Sequence, residues 1–231
     1  MLIGGFIKTS VVDYPSKVAC TIFTLGCNFR CPFCHNPELV LENLTSQQPL
    51  ISEEEVLGFL KNRKGLIEGV CVSGGEPTLQ PDLINFIKQI KALGYFIKLD
   101  TNGSRSDILI RLINDGLIDY VAMDIKAPLE KYNFVTNSRF LISNVQKSLQ
   151  FLKTSQIDYE FRTTLTPKFL NHDDILRIVE LIKPAQKYFL QRFHAVKILD
   201  PTLKDQKLWT EDEMQSLVRE IKPYFQQCEL R

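Results

Sequence analysis

Short apolar runs alternate with amphipathic stretches along most of the chain. The runs are 19–24, 69–73, 96–100, 120–124, 159–165 and 188–192. They are rich in Val, Ile, Phe and Tyr and nearly free of charge until their ends, the pattern of strands buried on both faces. Between them, apolar residues recur at helical spacing. Ser52-Glu53-Glu54-Glu55 reads as a capping box opening a helix through Lys61. Pro81 precedes a helical stripe of Leu83, Phe86, Ile87, Ile90 and Leu93 that Gly94 stops. Further helices are expected over 106–114, 144–154, 173–182 and 211–222, the last behind a second capping box, Thr210-x-x-Glu213.

Strand–helix alternation predicts parallel strands with right-handed crossovers. Six such units fall short of the eight of a closed TIM barrel. The expected fold is an α/β partial, open (β/α)6 TIM-type barrel of parallel strands, with a doubly wound sheet as the alternative. Ligands bind at the C-terminal edges of such strands, and polar residues collect there. The third run is followed by Asp100-Thr101-Asn102-Gly103, the fourth by Asp124-Ile125-Lys126, and the sixth by His194.

The densest chemistry follows the first run. Cys27, Cys31 and Cys34 stand in a C-x₃-C-x₂-C loop with no fourth cysteine nearby. Three thiolates can hold three irons of a cubane and leave one iron open to a small molecule. Zinc with His35 as fourth ligand is the alternative, although zinc sites space their ligand pairs more widely. Cys20, Cys71 and Cys228 stand alone, and the first two, in β-branched runs, read as buried small hydrophobes. The second run ends in Ser73-Gly74-Gly75-Glu76-Pro77, a backbone that another group can approach closely. Asp100 and Asp124 would repel across one mouth unless a cation lay between them. Arg162, inside an apolar run, needs a carboxylate, either a ligand's or the protein's own.

The 231 residues carry 28 basic and 27 acidic side chains, a formal net charge of +1. No strong field favours nucleic acid or an anionic membrane. The length suits a single domain, 1–231. The opening residues form no signal h-region or membrane span, so a cytoplasmic, reducing location is expected.

The cysteine spacing resembles that of the radical S-adenosylmethionine (SAM) enzymes. Three further segments narrow the resemblance: Asp13-Tyr14-Pro15, His35-Asn36-Pro37-Glu38-Leu39, and Met123-Asp124-Ile125-Lys126-Ala127-Pro128. Together they resemble the anaerobic ribonucleoside-triphosphate reductase activating proteins and, more broadly, the pyruvate formate-lyase activating enzymes. The resemblance implies a [4Fe-4S] cluster on Cys27, Cys31 and Cys34, with SAM on the open iron. It implies that Phe33 lies near the adenine and that Gly74, Gly75 and Glu76 meet the methionine amino group. Asp100, Thr101 and Asp124 would help bind SAM or a nearby monovalent cation; Asn102, Lys126, Arg162 and His194 join them as candidates by their place at or near strand ends. A flavodoxin or ferredoxin would supply one electron, SAM would split into methionine and a 5′-deoxyadenosyl radical, and a glycyl radical would form on a partner enzyme. Two other readings stand beside it: a radical SAM enzyme acting on a small molecule or RNA, similar to 7-carboxy-7-deazaguanine synthase, and a metal-binding interaction protein. The chain departs from the family pattern at Ser16, where a glycine usually follows Asp-Tyr-Pro.

Overall fold

A computed structural model describes residues 1–231. Eight strands form one sheet in chain order. The six expected runs are β2 (Ala19–Thr24), β3 (Gly69–Gly74), β4 (Phe96–Thr101), β5 (Tyr120–Asp124), β6 (Asp158–Leu165) and β7 (Ala185–Arg192). Two more flank them. β1 (Ile3–Ser10) pairs antiparallel with β2, and β8 (Phe225–Leu230) pairs parallel with β7. A doubly wound sheet reverses its strand order at a switch point. Here no reversal occurs, and the winding is that of the expected open barrel. Both unexpected strands are half-covered edges. β1 contains two glycines and β8 three polar residues, so neither shows the β-branched apolar run of a fully covered strand.

The chain packs as two compact units. The first comprises residues 1–28, 38–101 and 105–121. β2, β3 and β4 run parallel in it, with Thr21, Cys71 and Lys98 abreast in register. Helices Glu53–Lys61, Leu83–Ala92 and Ser106–Asn114 bury their apolar stripes through residues such as Leu60, Phe86 and Leu109. Ser52 accepts from Glu55 N at 3.0 Å, so its half of the expected box forms. The second unit comprises 29–37, 102–104 and 122–231. It holds helices Ile142–Thr154, His172–Ile182 and Glu211–Ile221. The Thr210–Glu213 capping box is complete, and a second forms between Asn171 and Asp174.

Tyr14 is buried against Ala19 and Tyr120, which explains the Asp-Tyr-Pro segment structurally. Two residues on, Ser16 has φ +61°. A side chain in that region costs roughly 1–2 kcal/mol, partly offset by the lower entropy cost of fixing a non-glycine residue. Ser16→Gly is therefore expected to raise stability by up to about 1 kcal/mol, or about 2–4 °C in a thermal melt of a chain this size.

Candidate active site

In the first unit, the end of β2 is clamped by the loop after β3. Gly75 N donates to Thr24 O at 2.9 Å, and Glu76 N to Gly26 O at 2.8 Å. Gly26 N donates to Leu39 O at 2.7 Å. Cys27 follows at once. The two glycines of the Gly-Gly-Glu-Pro segment are required by this backbone-to-backbone approach. Gly74 has φ +121°, and a Cβ there would lie 2.2 Å from Thr24 N; at Gly75 it would lie 2.0 Å from Gly26 O.

Glu76 is fully buried. Its Oε1 accepts from Thr78 N at 3.1 Å, from the Thr78 hydroxyl, and from Thr101 Oγ1 at 2.7 Å. The carboxylate caps the short 3₁₀ turn Pro77–Leu79 and ties the end of β3 to the end of β4. Asp100 accepts from Ser73 Oγ at 3.1 Å and pairs with Lys98.

In the second unit, the loop carrying Cys31 and Cys34 is held from two directions. Arg30 N donates to Thr136 O at 2.9 Å, while Asp200 N and Leu199 N donate to Pro32 O and Cys34 O at 2.8 and 3.0 Å. Phe29 is buried with its ring 4.7 Å from that of Phe140. Cys34 N donates to Cys31 O at 2.9 Å, so these two cysteines share one turn. Phe33 is buried with its ring 6.1 Å from Phe169.

Asp124 is the hub of a charged triad. Its Oδ1 accepts from Arg162 Nε at 2.8 Å and its Oδ2 from Lys126 Nζ at 2.9 Å. Burial alone would push the carboxyl up, but the two cations outweigh it and hold Asp124 well below the usual carboxylate range. Burial likewise opposes the Lys126 charge, yet Asp124 and Cys31 together hold it above the usual lysine value. Tyr132 braces the hub, its hydroxyl accepting from Lys126 N and donating to Asp124 O, both at 3.3 Å. Lys126 Nζ lies 5.9 Å from the Phe33 ring centre. His35 is pushed below the usual histidine value by burial first, then by His194 and Lys126.

The expected residues thus fall into local sets: Glu76 with Thr101, Cys31 with Cys34, and Asp124 with Lys126 and Arg162. Asn102 and His194 make their contacts elsewhere. Asn102 is buried, and its Oδ1 accepts from Ser104 N at 2.9 Å, closing its own turn. His194 is exposed and lines a cavity of about 270 Å³ with Arg192, Trp209 and Glu211. Lys98 and Tyr132 escaped the sequence reading. Lys98 carried a signal, the same charge within an apolar run that marked Arg162. Tyr132 carried none.

None of the six cysteines is in a disulfide. Cys20 and Cys228 are buried, and burial pushes both thiols up to about 12, so neither offers a thiolate near neutral pH. No group of three or more His, Cys, Asp or Glu side chains is gathered as a site for a metal ion. A cubane does not demand such convergence, since each thiolate takes a different iron. Cys27, Cys31 and Cys34 fit a cluster by the chemistry of the donor set, three thiols on one loop.

Residues 21–182 match the family model described as Radical SAM superfamily. The chain belongs to the radical SAM superfamily. A Methanocaldococcus jannaschii protein provisionally named a glycyl-radical enzyme activating enzyme is 32% identical over 238 residues, which is 100% of this chain and 95% of the relative. A Saccharolobus solfataricus protein provisionally named GTP 3′,8-cyclase is 29% identical over 74% of this chain and 66% of its own length. Among solved structures, Streptococcus suis SuiB bound to S-adenosylmethionine matches with a TM-score of 0.68 at 15% identity, over 89% of this chain and 48% of that one. Radical SAM enzymes use a [4Fe-4S] cluster and SAM, and this chain is such an enzyme. No helix is long and apolar enough to cross a membrane.

Proposed function

We propose that this radical SAM enzyme is an activase that generates a glycyl radical on a partner enzyme, with anaerobic ribonucleoside-triphosphate reductase as the partner. A reduced flavodoxin or ferredoxin in the cytoplasm would supply the electron, and residues 1–231 would act as one catalytic domain. Coverage is the observation that carries this reading over its rival. The relative named as an activase matches end to end, whereas the relative named as a cyclase matches 74% of this chain.

Cys27, Cys31 and Cys34 would hold the cluster. The Gly74–Glu76 backbone, Phe33, Asp100, Thr101, Asn102, Asp124, Lys126, Arg162 and His194 would line the SAM site. The cluster and SAM, once bound, would together supply a one-electron cleavage whose product can take a hydrogen atom. The protein's task is orientation and charge. Arg162 fixes Asp124, and Asp124 keeps Lys126 protonated and aimed, so that its ammonium can meet a ligand carboxylate. The Phe33 ring, backed by Phe169, offers a flat apolar surface for a base.

Cluster-loaded protein, reduced without oxygen and mixed with SAM and the reductase, is expected to give the EPR signal of a glycyl radical on the reductase chain. SAM cleavage with no such signal on any glycyl-radical enzyme of the source organism would instead support a small-molecule or RNA substrate.

A further inference from the structure

Lys98 lies mid-strand in β4 and is 3% exposed. Its ammonium pairs with Asp100 Oδ1 and lies 3.7 Å from Cys71 Sγ, its register neighbour on β3. The other oxygen of Asp100 accepts from Ser73 Oγ. A buried ammonium is strongly disfavoured unless a counter-charge faces it. Lys98 and Asp100 therefore hold each other in place, and Ser73 sets the carboxylate's rotation.

The resemblance implies SAM or a mobile monovalent cation at Asp100. In this chain a fixed ammonium already stands against that carboxylate. A sodium or potassium ion there would face a like charge at close range, in surroundings that screen it poorly. We propose that Lys98 is the built-in monovalent cation of this enzyme. It positions Asp100 and supplies the positive charge, so SAM binds without sodium or potassium. The proposal rests on the reading of Asp100 as part of the SAM site. Lys98 acts through Asp100 and is a positioning residue.

The test is SAM binding to cluster-loaded protein by equilibrium dialysis, in tetramethylammonium buffer and in potassium buffer of equal ionic strength. Wild-type affinity is expected to differ by less than about twofold between the two. Lys98→Met is expected to bind about tenfold more weakly in tetramethylammonium, a loss of about 1.4 kcal/mol, and to recover with potassium or methylammonium. That recovery separates supply of charge from a purely structural role. Wild-type binding that requires potassium would overturn the proposal. So would a folded, cluster-bearing Lys98→Met protein that binds as wild type does, or one that no cation rescues. If Lys98→Met does not fold, the wild-type comparison alone decides. A wild type that binds no SAM in either buffer overturns the SAM-site reading and this proposal with it, whereas a cation requirement overturns this proposal alone.

Discussion

Gly75→Ala is expected to lose both fold stability and the metal centre, although no metal ligand is touched. The added methyl would sit 2.0 Å from Gly26 O and 3.2 Å from Leu39 O. Both are backbone atoms, so no flexible side chain can move aside. Gly26 O is also the acceptor of Glu76 N, and Gly26 precedes Cys27. Relief of the clash would open the clamp at the end of β2 and release the residue before Cys27. Overpacking of this kind typically costs about 1–3 kcal/mol. Because the displaced group is backbone, a loss near about 3 kcal/mol is expected in denaturant unfolding, with iron per chain after reconstitution falling by at least about half. Gly58→Ala is the control. Gly58 lies inside helix Glu53–Lys61 with nothing within 4 Å of the added Cβ, so that change should stabilise by about 1 kcal/mol. Wild-type iron content and stability in Gly75→Ala would refute the clamp.

Arg162→Met is expected to strike the charged hub. Breaking a fully buried ion pair by removing one partner costs about 3–5 kcal/mol, but Arg162 and Asp124 are only part-buried. Asp124 also keeps Lys126, so a smaller loss, about 1–2 kcal/mol, is expected in denaturant unfolding. The pH dependence has a definite sign. The Asp124 carboxyl lies below its unfolded value of about 3.9. The stabilisation it contributes is therefore fully present above about pH 4 and drains away as pH falls through the folded value. Without the guanidinium the carboxyl rises, so acid unfolding should begin at higher pH in Arg162→Met than in wild type. An unchanged acid limb would mean that Lys126 alone holds Asp124. SAM affinity should fall as well, because Lys126 loses a firmly held partner.

Much of this was legible along the chain. The six apolar runs became β2 to β7 because strands covered on both faces must be apolar throughout. Helices opened where Ser52 and Thr210 could accept from backbone N–H groups. The cysteine loop stood out along the chain because cluster ligation calls for thiols at set spacing. β1 and β8 were not, because a half-covered edge strand tolerates polar residues and glycine. Glu76 was read toward a ligand, yet its side chain turns inward to Thr78 and Thr101. A one-dimensional pattern does not record which way a carboxylate faces.

The sequence by itself determined the order of β2 to β7 with the longer helices between them, and the thiol spacing that marks the superfamily, since those depend on residue type and spacing. Only the tertiary structure decided which charge meets which. Arg162 found Asp124 across 38 positions, and Gly75 proved to be pressed against Gly26. Such pairings follow from register between neighbouring strands and from loop geometry. Long-range contacts of this kind leave no local trace in the order of residues.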